Sequence, residues 1–126
     1  YAHQFAEADK YVFAAPMWNF SIPSILKAYI DYIALAGITF KYTSDGPVGL
    51  CQDKKAIHIT ARGGIYSDSP FDQKEMGDRY LRNILGFMGI KDIDTLAIQG
   101  LNIVSMDREA IIDKAIKEAR KKAEIF

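Results

Sequence analysis

The segment Tyr11-Val12-Phe13-Ala14-Ala15 is apolar at every position. A strand without polar alternation needs cover on both faces, and parallel sheets flanked by helices provide it. Pro16-Met17-Trp18-Asn19-Phe20-Ser21-Ile22 follows directly, and then Pro23, a residue suited to the first position of a helix. A helix is predicted over Pro23 to Ala36, ended by Gly37 in the left-handed position past its terminus. In open α/β sheets, ligands sit at such strand-to-helix turns, beyond the carboxyl ends of the strands.

The pattern then recurs. Lys55 to Thr60 reads as a second strand, and Ala61 to Phe71, with Gly63-Gly64, as a second loop. A helix is predicted from Ser69-Pro70 or Asp72 to about Met88, ended by Gly89. Its apolar positions Met76, Tyr80, Leu81, Ile84, Leu85 and Met88 follow a helical period. Asp94 to Ile98 reads as a third strand. Asp107 is placed to cap a last helix with the stripe Ile112, Ala115, Ile116, Ala119 and Ala123. Ala2 to Asp9 reads as a helix tail, Thr39 to Tyr42 as extended chain, and Thr43 to Leu50 as a turn-rich loop. Strand and helix alternate throughout, which predicts an α/β fold with a doubly wound parallel sheet.

Composition narrows the function classes. Lys+Arg and Asp+Glu are both 16, so the net charge is zero and no electrostatic footprint for nucleic acid or an anionic membrane is present. No apolar run is long enough to span a bilayer. The lone Cys51 excludes an internal disulfide and a multi-cysteine metal site, and fits a reducing, cytoplasmic setting. His3 and His58 do not form a metal pair, and His58, in mid-strand, reads as a core histidine. No nucleophile triad or paired catalytic carboxylates appear.

Two features remain. The loop Pro16 to Phe20 combines polarizable Met17 and Trp18, Asn19 with donor and acceptor, and Phe20. From the residues alone it reads equally as a contact for a flat aromatic ligand, or as an apolar loop with Asn19 capping the next helix. The helix Pro23 to Ala36 is apolar around its circumference apart from the i,i+4 pair Lys27 and Asp31. Such a helix needs a second cover besides the sheet, either upstream sequence or a second subunit, and a homodimer through this helix is the favoured expectation.

Pro16-Met17-Trp18-Asn19-Phe20-Ser21-Ile22-Pro23-Ser24, with Leu26-Lys27 and Gly37-Ile38-Thr39-Phe40, resembles the FMN-dependent NADH-azoreductases, flavodoxin-like proteins close to the NAD(P)H:quinone reductases. Lys54-Lys55-Ala56 through Ile59-Thr60 into Ala61-Arg62-Gly63-Gly64, and Leu85-Gly86-Phe87-Met88-Gly89-Ile90, carry the likeness along nearly the whole chain. The resemblance implies a single flavodoxin-like domain over residues 1–126, holding the third to fifth strands of the family sheet. The first strands and the loop for the FMN phosphate are then expected upstream. It implies FMN contact by Pro16, Met17, Trp18, Asn19, Phe20, Ala61, Gly63 and Gly64, with Phe40, Phe87 and Tyr66 lining the substrate space. Part of that space is expected from a second subunit. The expected reaction is ping-pong hydride transfer from NADH or NADPH to azo compounds and quinones, the protein orienting the cofactor and substrates. Ala61 departs from the serine usual in the family, and Leu35 from arginine. Arg62 reads as a structural ion-pair partner or as a flavin ligand. The alternatives are a flavodoxin-type electron carrier, usually acidic where this chain is neutral, and an inactive fragment lacking the phosphate site.

Overall fold

A computed structural model describes residues 1–126. Its elements are α1 (Ala2–Glu7), β1 (Lys10–Ala14), α2 (Ser24–Ile33), β2 (Phe40–Thr43), β3 (Gly46–Gly49), β4 (Lys55–Ala61), α3 (Gly77–Phe87), β5 (Asp92–Ile98) and α4 (Arg108–Ile125). A short 3-10 turn at Asp72–Lys74 precedes α3. β1, β4 and β5 form a parallel sheet in the order β1-β4-β5, so the three predicted strands and their direction are as expected. β4 is central, with Ala56, Ile57, His58 and Thr60 buried, as a strand covered on both faces must be. β1 pairs on one side only.

The core gathers Phe5, Tyr11 and Phe13, Ile30 and Ile33 of α2, and Leu81, Leu85 and Met88 of α3 and its end. Phe5 stacks on Tyr11 at 4.1 Å between ring centroids, and the Tyr11 hydroxyl donates to the carbonyls of Phe5 and Ala8. This polar handle lets a tyrosine sit in the core without an orphaned hydroxyl.

Several boundaries differ from the sequence reading, each for a tertiary reason. α2 begins after Pro23 and ends at Ile33, not Ala36. The Thr39 hydroxyl donates to the Ile33 carbonyl (2.7 Å) and accepts from the Leu35 amide (3.0 Å), so the helix terminus is capped from the following turn. Gly37, at φ +88°, serves that turn rather than the helix end. The stretch Thr43 to Leu50 is not a loop: β2 and β3 form an antiparallel hairpin around Ser44-Asp45. Gly46 there takes φ +111°, open to glycine. α3 starts at Gly77, later than predicted, because Met76 donates its amide to the Phe20 carbonyl (2.8 Å) and Glu75 Oε1 accepts from the Asp78 amide (2.8 Å). Gly89, at φ +102°, closes α3 as expected, with the Ile90 amide reaching the Leu85 carbonyl. Asp107 caps α4 by accepting from the Ala110 amide, also as expected. Yet Ile112 and Ile116 of its predicted stripe are exposed, and Ala115 is the buried residue of that helix.

Candidate functional site

Two loops leave the carboxyl ends of β1 and β4 side by side. The Ala15 amide donates to the Ile59 carbonyl and the Met17 amide to the Ala61 carbonyl, which extends the β1–β4 ladder beyond the strands and laces the loops together. The first loop then reverses. Trp18 and Ser21 exchange amide-to-carbonyl hydrogen bonds at 2.9 and 3.0 Å around Asn19 and Phe20. Both central residues lie in the left-handed region, Asn19 at φ +50° and Phe20 at φ +70°. Asparagine tolerates this conformation, but a phenylalanine there is strained, and strain of this kind gathers at functional sites. Trp18 and Phe20 are 59% and 46% exposed, so the turn does not tuck into the core. Nor does Asn19 cap α2, since the residue before that helix is Pro23 and no side chain caps it.

The second loop is anchored from β5 outward. The Arg62 amide donates to Ile98, and the amides of Gly100, Leu101 and Asn102 donate to the carbonyls of Gly64, Arg62 and Gly63. The carbonyls are thereby occupied while the amides of Gly63, Gly64 and Ile65 make no hydrogen bond within the chain. The amides of Asn19 and Phe20 and the Asn19 side chain are likewise unpartnered. Backbone donors left without partners on adjoining loops form a ready receptor for the carbonyl and ring acceptors of a flat heterocycle. A Cβ on Gly64 would meet only the Tyr66 ring, at an ordinary contact distance of 3.4 Å.

The predicted contact residues Pro16, Met17, Trp18, Asn19, Phe20, Ala61, Gly63 and Gly64 therefore come together at one end of the sheet. Tyr66 joins them, its ring edge-on to Phe20 at 6.3 Å. Phe40 and Phe87 do not. They pack on each other at 4.7 Å, at the end of α3 remote from its Gly77 start, and belong to none of the cavities around the two loops.

Sequence reasoning missed the residue that fixes the second loop. Gln99 Oε1 accepts from the amides of Tyr66 (2.9 Å) and Ser67 (3.1 Å) and from Arg62 Nη1 (3.2 Å). Arg62 itself is buried and lies 3.6 Å from Glu75, which places it on the ion-pair side of its two readings. Its Nε has no partner. Behind it, His58 Nδ1 meets Asp78 Oδ1 at 2.9 Å, while His58 Nε2 is unpartnered. Asp78 also accepts from Thr95 (2.6 Å) and Arg82 (2.8 Å). Burial opposes its charge, but the hydrogen bonds from His58, Thr95 and Arg82 prevail and hold its carboxyl well below the usual range. This network ties α3 to β4 and β5. Cys51 is buried, its thiol pushed up by burial.

A cleft of about 690 Å³ runs along the unpaired edge of β1 past Tyr11, Val12, Ala14, Trp18 and Leu26. Its wall is a strand edge with idle backbone groups, chemistry that suits another extended segment better than a flat ligand. No helix is long and apolar enough to cross a membrane.

A family model described as flavodoxin-like fold matches residues 2–123. The chain is 60% identical over 126 residues to the FMN-dependent NADH:quinone oxidoreductase 2 of Clostridium acetobutylicum, covering all of this chain and 63% of that relative. It is 61% identical to the FMN-dependent NADH:quinone oxidoreductase of Caldicellulosiruptor saccharolyticus, again over 63% of its length. Among solved structures, an azoreductase from Bacillus anthracis superposes with a TM-score of 0.91 at 47% identity, over 98% of this chain and 59% of that one. An FMN-dependent NADH-azoreductase from the same species, solved in complex with FMN, gives a TM-score of 0.91 at 37% identity, over 98% of this chain and 58% of that one. The chain thus spans less than two thirds of the length of these relatives.

Proposed function

We propose, for a chain that belongs to the flavodoxin-like fold family, that it supplies the ring-binding side of an FMN site in an NADH:quinone oxidoreductase that also reduces azo compounds. The observation that carries this reading is the pair of laced loops whose Asn19, Phe20, Gly63, Gly64 and Ile65 amides lack partners while their carbonyls are largely engaged. Relatives named for FMN, NADH and quinones, and one solved with FMN, support it.

The residues fit the group. Trp18 and Met17 offer polarizable apolar surface for the ring system, and the Asn19 side chain matches an edge that alternates donors and acceptors. The amides of Gly63 and Gly64 suit ring carbonyls, and they favour negative charge on a reduced ring. Ala61 contributes its backbone alone, its carbonyl already held by the Met17 amide. FMN supplies, when bound, hydride transfer from NADH or NADPH to the acceptor, the two substrates taking turns at one site in ping-pong order. The chain's part is proximity and orientation, and the strained turn at Asn19-Phe20 is set before any ligand arrives.

A homodimer through α2 belongs to the same reading. Ile25, Tyr32 and Leu35 are exposed on and just beyond that helix, which supports a partner there. Phe40 and Phe87, remote from the loops of their own chain, line a substrate space only if lent to a neighbouring copy.

The test is a stopped-flow experiment on the natural polypeptide that contains this sequence. NADH bleaches bound FMN in the absence of acceptor, and a quinone restores the colour without a protein partner. Absence of bleaching refutes the oxidoreductase reading. Reoxidation that requires a second protein favours an electron carrier.

A further inference from the structure

The start of α3 touches both loops. Glu75 Oε1 lies 3.6 Å from Arg62 Nη2, where the second loop leaves β4, and accepts from the Asp78 amide at 2.8 Å. The two side chains of this pair are shielded, Arg62 at 4% exposure and Glu75 at 13%. The next residue, Met76, donates its amide to the Phe20 carbonyl at 2.8 Å and so holds the strained turn of the first loop. Gly77 follows, and a Cβ on it would stand 3.3 Å from the Ser21 carbonyl carbon, 3.4 Å from the Ile22 amide nitrogen and 3.2 Å from Glu75 Oε1. Beyond Met17 and Ala61, no backbone hydrogen bond runs directly from one loop to the other. Three consecutive residues at the head of α3 therefore bridge them.

We propose that Glu75 is a positioning residue that sets the spacing of the two loops: paired with Arg62 it holds the second, and through Met76 and Gly77 it holds the turn at Asn19-Phe20. Solvent screens a shielded ion pair little. Glu75 has little freedom to swing away, because the Asp78 amide fixes the same oxygen. Arg62 Nε, which is unpartnered, and Nη2 form the edge that a carboxylate takes side-on. A flat ligand held by idle amides on two loops needs both at one separation, since a small error in spacing weakens its hydrogen bonds on one side. The inference rests on the FMN reading, and Glu75 acts on that site through Arg62 and Met76.

The experiment is amide hydrogen exchange on the natural polypeptide containing this sequence, free of FMN, read at Trp18 and Ser21 in the first loop and at Tyr66 and Ser67 in the second. Gln99→Leu loosens the second loop at its own anchor. With Glu75 in place, it is expected to speed exchange at Trp18 and Ser21 as well, by roughly three- to tenfold, the scale of one weakened hydrogen bond. Glu75→Gln keeps an acceptor for the Asp78 amide but loses the charge facing Arg62. In that background Gln99→Leu is expected to add nothing at Trp18 and Ser21. The double variant Arg62→Met, Glu75→Gln removes the charge that Glu75→Gln leaves buried, and is expected to behave the same way. First-loop exchange that ignores Gln99→Leu, or that responds equally with and without the Glu75 carboxylate, overturns the proposal. With FMN added, Glu75→Gln is expected to raise Kd roughly three- to tenfold. It should also move the flavin midpoint potential to more negative values, because the amides that favour a negative reduced ring are held less firmly. An unchanged Kd and potential overturn the positioning role. A parent that fails to bind FMN, with coupled exchange intact, sinks the FMN reading and leaves the bridge between the loops standing.

Discussion

Gly63 and Asn102 are joined through backbone and side chain at once. The Asn102 amide donates to the Gly63 carbonyl at 3.0 Å, and the Asn102 side chain fills the space a Cβ on Gly63 would need, with Nδ2 2.5 Å and Cγ 3.1 Å from that point. Gly63→Ala must therefore push Asn102 aside or shift the loop. FMN affinity should drop by about 1–2 kcal/mol, roughly tenfold in Kd, measured by flavin fluorescence titration. An unchanged affinity would show that the Asn102 side chain gives way and the loop stays in place.

Phe20 carries a conformational cost that glycine would not. Phe20→Gly at φ +70° should raise unfolding free energy by about 1 kcal/mol relative to a Phe20→Ala variant, read as a shift of the urea midpoint at constant slope. Both variants lose the ring, so both should bind FMN more weakly than the parent. Equal midpoints would mean that the turn relaxes in solution.

Asp78 makes stability depend on pH. Its carboxyl is depressed below the ordinary value by His58, Thr95 and Arg82 despite burial. A depressed carboxyl contributes stability that is full above the unfolded-state pKa, about 3.9, and is lost as pH falls toward the lower folded-state value. Chemical denaturation should therefore show stability declining below about pH 4, and Asp78→Asn should flatten that decline. At neutral pH the same variant should lose about 2–4 kcal/mol, since the buried groups around it lose their anionic acceptor.

Gln99→Leu deprives the Tyr66 and Ser67 amides and Arg62 of their common acceptor. The expected cost is about 1–3 kcal/mol. Because the loop rather than the core loosens, FMN should dissociate faster, while Gln99→Glu, which keeps the acceptor, should dissociate close to the parental rate.

The strands and the two loops at the carboxyl ends of β1 and β4 were legible in the sequence because uninterrupted apolar runs and the Pro16 to Ser24 motif are local signals. The missed features are tertiary. Pro47, Gly46 and Gly49 read as breakers, yet a two-stranded hairpin has an outer edge on which a missing amide costs little. The residues from Asp72 onward favour a helix, but Phe20 captures the Met76 amide and delays it. On α4 the sequence does not say which face meets the sheet: Ala115 is buried and Lys122 pairs with Asp94 of β5 (2.7 Å), while Ile112 and Ile116 are exposed. Gln99 carries no periodic or motif signal, since a polar residue near a strand end is ordinary until its partners are known.

The one-sided pairing of β1 has a practical corollary. Val12 stands exposed on a strand whose outer row of hydrogen-bonding groups is unsatisfied, the template on which chains zip together. Handled by itself at high concentration, a polypeptide of this sequence is an aggregation hazard, and turbidity should rise steeply with protein concentration unless an added peptide strand occupies that rim.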